Sequence, residues 1–178
     1  MTQLKPPSRV TLKASTPTVT KKVKVQIQNR SGAAVTVPDL ATLAALVEVD
    51  VTPIAAGCVA PVATLVPGKP NKVPATLKPK KKLTAVFTVA LDCAVDPLKT
   101  SKKTPGHDDF RWTATLHPSA LTGIADTHAA DDVCPRPTLP GGVDPRPDAK
   151  KPIKDKGCGG KLPDKTLGAD VTTDVVVK

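Results

Sequence analysis

Aromatic residues are scarce in this chain of 178 residues, which contains two Phe, one Trp and no Tyr. Its apolar residues are mostly aliphatic. The 22 Val and 22 Thr favour strands, and the 20 Pro interrupt helices. This composition predicts an all-β fold. A hydrophobic content of 39% is sufficient for one domain with its own core.

Long apolar runs are also missing. No stretch reaches the roughly 18 consecutive apolar residues of a membrane helix, so no membrane span is predicted. The N-terminal segment MTQLKPPSRV has no apolar stretch typical of a secretory signal.

Acidic residues are absent from residues 1–30, which carry seven bases, whereas residues 31–60 carry three acids and no base. The net charge of +10 favours association with polyanions. Alternatively, the lysines keep exposed strand edges from pairing with other chains.

Alternating apolar and polar residues predict most of the strands. In residues 22–28, Val23, Val25 and Ile27 alternate with Lys and Gln, which is typical of a strand with one face on a core and the other in water. The turn-forming cluster at 29–32 should end this strand. The same alternation predicts strands over 10–14, 83–93, 109–117 and 169–177.

Residues 38–51 fit two patterns, because Asp39 could cap a short helix while Val47, Val49 and Val51 alternate as a strand. We expect a turn of helix over 39–45 followed by a strand over 46–53. Residues 55–82 are rich in Pro and Lys and should form loops with short edge strands.

Strands of this number and length fit two packed antiparallel sheets. We therefore predict one domain over residues 1–178. Residues 134–166 form a Pro-, Gly- and Lys-rich insertion, flanked by cysteines, before the last strand.

The four cysteines, Cys58, Cys93, Cys134 and Cys158, allow three pairings. They include no CxxC motif and have no nearby histidine, which argues against zinc. We favour Cys134–Cys158, which would close the insertion, and Cys58–Cys93, with four reduced cytosolic thiols as the alternative. Disulfides predict an extracellular, cell-surface or periplasmic location. We then expect the sequence to be a mature fragment or an excised domain.

Two segments resemble parts of the bacterial CARDB-like and related immunoglobulin-like domains. FRWTATLHPSALTGIADTHAADDVCP is similar to their late strand and the acidic turn after it, and TVTKKVKVQIQNRSG is similar to their second strand. The resemblance covers about half of the chain and implies an immunoglobulin-like antiparallel β-sandwich. The insertion departs from the pattern, and the architecture implies no particular activity.

Asp126, Asp131 and Asp132 in that acidic turn offer hard oxygen ligands of the kind that calcium takes. The acidic segment 107–109 is a second candidate. Neither matches a calcium loop, and Asp also favours turns for its own backbone hydrogen bonds. Calcium at the three aspartates is thus the metal hypothesis, ordinary turns are its alternative, and no other cofactor is expected.

Evidence for catalysis is weaker. Ser119 and His117 could join an aspartate in a triad, but no nucleophile elbow places the serine, and there is no glycine-rich phosphate loop. We therefore predict a protein that is not an enzyme.

Our leading hypothesis is an extracellular or cell-surface structural or interaction module. It would bind a protein partner, or a neighbouring subunit of a surface assembly, through loops or sheet edges. The rival is a module that binds a polyanion, either acidic polysaccharide or nucleic acid, by charge. The lysines of the rival site are Lys78, Lys80, Lys81, Lys82, Lys99, Lys102 and Lys103. Base stacking is not expected, because all three aromatic residues fall on inward-facing positions.

Overall fold

A computed structural model describes residues 1, 3–93, 109–124, 133–134 and 171–177. Strands predominate in this part of the chain, as the composition predicts. The elements in chain order are β1 (Gln3–Lys5), β2 (Arg9–Leu12), β3 (Thr18–Gln28), β4 (Val35–Val37), α1 (Leu40–Leu46), β5 (Val47–Pro53), β6 (Ala63–Leu65), β7 (Ala75–Leu77), β8 (Lys82–Asp92), β9 (Phe110–Leu116), a 3-10 turn (Pro118–Ala120), β10 (Val133–Cys134) and β11 (Val171–Val177).

The first sheet has the strand order β1-β3-β8-β6. Its centre is the antiparallel pairing of β3 with β8 over the full length of both strands. Val23, Val25 and Ile27 are buried, and Lys22 and Lys24 between them are exposed. The predicted alternation is therefore confirmed, because the apolar side of β3 faces the core.

The second sheet is built around β9. On one side β9 pairs with β5 along the whole length of both strands. On its other side the first part of β9 pairs with β11, and the last part pairs with β10. β2 extends the sheet beyond β11 in parallel orientation. β4 and β7 form a separate two-stranded ladder.

The strand order is that of an immunoglobulin-like sandwich. If β1, β3, β5, β6, β8, β9 and β11 are lettered A to G in chain order, one sheet reads A-B-E-D and the other C-F-G. The predicted fold class is thus confirmed. The parallel pairing of β2 with β11 is an exception to the expected antiparallel arrangement.

The aromatic residues occupy the core between the two sheets. Phe110 and Trp112 on β9 are fully buried, and Phe87 on β8 is nearly so. This confirms the inward positions predicted for all three. In antibody domains the core tryptophan lies on strand C, whereas here it lies on strand F.

The predicted Cys58–Cys93 disulfide is present and ties the connection after β5 to the end of β8. Cys134 at the end of β10 is also disulfide-bonded. Its predicted partner, Cys158, lies outside the described residues, as does the rest of the predicted insertion after Cys134.

The segment that fitted two patterns forms a helix and then a strand, as expected. The Asp39 carboxylate caps α1 by accepting the Thr42 amide at 2.7 Å, and this hydrogen bond lowers the pKa of Asp39. Leu43 and Leu46 anchor the helix in the core.

The prediction of a first strand over 10–14 extends two residues too far at its C-terminal end. β2 stops at Leu12 and Ala14 is exposed, because the chain turns there and the Thr16 amide donates to the Lys13 carbonyl at 2.8 Å. The last strand begins at Val171, and residues 169–170 lie outside the described part.

Candidate functional site

Within the described part of the chain, β5 is an edge strand that pairs with β9 alone. At one end of β5 the backbone amide of His117 donates to the Leu46 carbonyl at 2.8 Å. At the other end the backbone amide of Ile54 donates to the Asp109 carbonyl, also at 2.8 Å. In an antiparallel ladder such bonds fall on every second residue. The even-numbered residues of β5 therefore bond to β9, and the backbone N–H and C=O groups of Val49 and Val51 point away from the sheet.

This open stretch of backbone is short. At its start the Val47 amide donates to the Leu43 carbonyl and ends α1. At its far end Pro53 has no N–H to offer. Two outward-pointing donors and their neighbouring acceptors remain between them, which suits the addition of one short strand.

The side chains of β5 divide by parity. Val47, Val49 and Val51 are buried against the core, whereas Glu48 and Asp50 are exposed. No base occurs in residues 31–60, so the edge carries negative charge in an otherwise basic protein.

A groove of about 810 Å³ separates β5 from β6, the edge strand of the first sheet. Its lining residues from α1 and β6 are small or apolar: Ala44, Ala45, Ala63 and Leu65. Val62 also lines the groove and is 79% exposed. The three large apolar side chains most exposed among the described residues, Ile54, Val59 and Val62, all lie in the connection between β5 and β6.

At the end of β9 the ring Nε2 of His117 lies 2.8 Å from Glu48 Oε2. Both side chains are about half exposed. Ser119 lies two residues further, but no hydrogen bond joins it to His117 in the described structure. In the part of the chain that the structure describes, the His117 ring therefore contacts Glu48 and not Ser119, and it forms one end of the acidic edge.

The structure describes four of the seven lysines predicted to bind polyanions. Lys78, Lys80, Lys81 and Lys82 are exposed in and beside a turn that leads into β8. The backbone of Asn29 holds this turn in place. Its N–H donates to the Lys81 carbonyl at 3.0 Å, and its C=O accepts the Lys80 backbone amide at 2.8 Å. Lys99, Lys102 and Lys103 lie outside the described residues.

The predicted calcium ligands Asp126, Asp131 and Asp132 also lie outside the described residues. Within the described ranges there is no group of three His, Cys, Asp or Glu side chains that could hold a metal ion. Asp109, from the second acidic segment, is 1% exposed, and its Oδ2 accepts the Val175 amide at 2.5 Å. It therefore has a structural partner on β11.

Asp109 belongs to a buried polar network that the sequence did not reveal. Trp112 Nε1 donates to Thr173 Oγ1 at 2.8 Å, and the Thr173 hydroxyl donates to the Pro7 carbonyl at 2.6 Å. These bonds join β9, β11 and the segment before β2. The last strand thus completes the sheet of its own domain.

The outer side of β11 carries a second buried acid. Asp174 Oδ2 accepts Arg9 Nε at 2.6 Å, in register with the parallel pairing of β11 and β2. Among the described residues, Asp174 Oδ1 is buried without a hydrogen-bond partner.

No helix in the described ranges is long and apolar enough to cross a membrane. Comparisons with protein-family models, with curated proteins and with solved structures find no match for this chain.

Proposed function

We propose that this chain is a non-enzymatic structural or interaction module that works outside the cell, at the cell surface or in the periplasm. It docks a protein partner by accepting one of the partner's strands along β5. The observation that carries the proposal is the outward-pointing backbone of Val49 and Val51 beside a groove whose α1 and β6 side is small or apolar. The Cys58–Cys93 disulfide supports the compartment, because such bonds persist in oxidising environments.

The charge of the edge indicates the chemistry of the partner. Glu48 and Asp50 would flank an added strand, and their carboxylates would repel a strand that carries acidic side chains. The occupant we propose is therefore an extended, basic segment of a partner protein with apolar residues at alternate positions. Its apolar side chains would contact the groove near Val62 and Leu65.

Titration with synthetic peptides tests this proposal. A peptide of alternating Val and Lys is expected to bind, and one of alternating Val and Glu is not. The variant Asp50→Lys is expected to lose at least tenfold in affinity for the basic peptide. Asp92→Lys makes the same charge change on the other sheet and is expected to leave the affinity within twofold.

Two results would contradict the proposal. One is equal affinity for the basic and the acidic peptide. The other is equal loss in Asp50→Lys and Asp92→Lys, which would indicate an effect of net charge alone. Sedimentation of the free chain tests whether the occupant of the β5 edge is instead a second copy of the chain. A dimer that is disrupted by Asp50→Lys would assign the edge to that second copy and would contradict the proposed partner.

A further inference from the structure

The outer face of the first sheet is strongly basic. Lys5, Lys22, Lys24 and Lys82 lie on this face and are exposed; we call these four residues the lysine face. The four strands of the sheet contain a single acid, Asp92, at the far end of β8. The Asp92 carboxylate accepts the Thr18 hydroxyl at 2.8 Å.

The strand register brings two of these lysines directly together. Lys5 on β1 lies opposite Lys24 on β3, and their Cβ atoms are about 5 Å apart in such a pair. Lys22 is two residues away along β3, about 7 Å distant. The side chain of none of the three forms a hydrogen bond or an ion pair with another described residue. Directly opposed like charges destabilise a sheet, and an anionic group held between them would remove the repulsion.

A loop adds to the positive charge at the side of the sheet. The Asn71 side chain is 3% exposed and takes the place of a strand at the β8 edge, where its Nδ2 donates to the Val86 carbonyl at 3.0 Å and its Oδ1 accepts the Val86 amide at 2.7 Å. Val86 lies opposite Lys24 in the register. Asn71 thereby fixes the loop that carries the exposed Lys69 and Lys72 at the β8 edge, at the height of Lys24 along the strands.

We propose that the lysine face binds an acidic polysaccharide. Lysines whose Cβ atoms lie roughly 5–7 Å apart on one sheet face can bring their ammonium groups to successive charges of a linear polyanion. Single-stranded nucleic acid is disfavoured because Phe87, Phe110 and Trp112 are buried and cannot stack on bases. The disulfide fits an oxidising compartment, where extracellular polysaccharide is encountered.

This site differs from the lysine loops predicted from the sequence, because it uses the face of a sheet and shares only Lys82 with them. It also lies on the opposite sheet from β5. The proposal therefore stands independently of partner docking at the β5 edge.

The proposal is tested by measuring retention of the full, oxidised chain on two immobilised polysaccharides. Heparin is sulfated, and polygalacturonate is carboxylated. The double variant Lys22→Gln/Lys24→Gln is expected to elute at lower salt. The dependence of log affinity on log salt should also become shallower in this variant, because each lysine that contacts the polyanion releases condensed counterions. The charge-matched control, Lys13→Gln/Arg111→Gln, removes two exposed bases on and beside the second sheet and is expected to lose less than half as much.

Equal losses in the two double variants would overturn the proposal, because binding would then follow net charge alone. Tighter binding of single-stranded oligothymidylate than of either polysaccharide at the same salt would overturn it in favour of nucleic acid. The proposal would also be overturned if Lys22→Gln/Lys24→Gln self-associated while its retention on heparin stayed unchanged. The lysines would then serve to prevent association between chains.

Thermal unfolding separates a binding role from a structural one. The single variant Lys24→Gln relieves the repulsion from Lys5, so its melting temperature at low salt is expected to equal or exceed that of the natural chain. A marked fall in melting temperature would mean that Lys24 supports the fold, and the loss of retention would then not report a binding site.

Discussion

At the scale of single residues, Thr173 connects three parts of the molecule. Its hydroxyl accepts from the Trp112 indole and donates to the Pro7 carbonyl, and the residue is fully buried. Polar groups buried without partners cost free energy, so this hydroxyl satisfies two groups whose desolvation would otherwise be uncompensated.

We expect Thr173→Val to lower the free energy of unfolding by about 1–3 kcal/mol, because it keeps the shape of the side chain but leaves the Trp112 N–H and the Pro7 carbonyl unpaired. Urea unfolding followed by Trp112 fluorescence measures this change. Thr172→Val, at the neighbouring, partly buried position, is the control and should stay within about 0.5 kcal/mol of the natural chain. Equal stability of the two variants would show that the network contributes nothing.

The inward position of Thr173 could be predicted from the alternation of the last strand, but its role could not. Its partner Trp112 is 61 residues away in sequence, and the pairing depends on the register of β11 with β9. Asp109 shows the same limit. In the sequence it belongs to the acidic segment 107–109 at the start of a predicted strand, and only the strand pairing brings its carboxylate to the Val175 amide.

At the scale of elements, the start of α1 depends on Asp39. The Thr42 amide stabilises the ionised carboxylate and so lowers its pKa below the ordinary value of 3.8. A lowered pKa in the folded chain means that the ionised cap adds stability above about pH 4, and that this stability is lost as the pH falls through the folded pKa.

Asp39→Ala is therefore expected to be less stable than the natural chain at pH 7, and the difference should shrink at acid pH. Thermal unfolding between pH 7 and pH 2.5 measures it. Asp39→Asn retains a capping oxygen without the charge, so it should lose less stability at pH 7 than Asp39→Ala. A difference that stays constant down to the lowest pH would contradict the assigned role of the carboxylate.

β5 illustrates which features of an element the sequence can predict. The alternation of Val47, Val49 and Val51 with acids predicts both the strand and its buried face, and the structure confirms them. That β5 lies at an edge beside β6 could not be predicted, because an edge is defined by the strands that do not pair with it. The lysine face likewise depends on the register that sets Lys5 opposite Lys24.

At the scale of the whole molecule, the Cys58–Cys93 disulfide closes a segment with a sequence separation of 35 residues. A loop of this size is expected to stabilise the fold by about 3–4 kcal/mol, mainly by restricting the unfolded chain. From the sequence this pair is the one that remains once Cys134 is joined to Cys158. The β-bridge between the two residues shows why they meet, because Cys58 lies beside the end of β8.

We expect Cys58→Ala/Cys93→Ala to lower the melting temperature by about 10 °C, given the usual dependence of melting temperature on stability for a chain of this size. Calorimetry of the variant measures the shift. The double variant is preferable to a reductant, which would also reduce the disulfide of Cys134. An unchanged melting temperature would mean that the bond has no stabilising role.

The central claim is that β5 offers open backbone to a partner's strand, and amide hydrogen exchange at single-residue resolution tests it most directly. In the free chain the Val49 and Val51 amides should exchange faster than those of Glu48, Asp50 and Thr52, which face β9. The alternating Val and Lys peptide should slow the exchange of Val49 and Val51 and leave the other three amides nearly unchanged. Slow exchange of Val49 and Val51 in the free chain, or no slowing with the peptide bound, would contradict the claim.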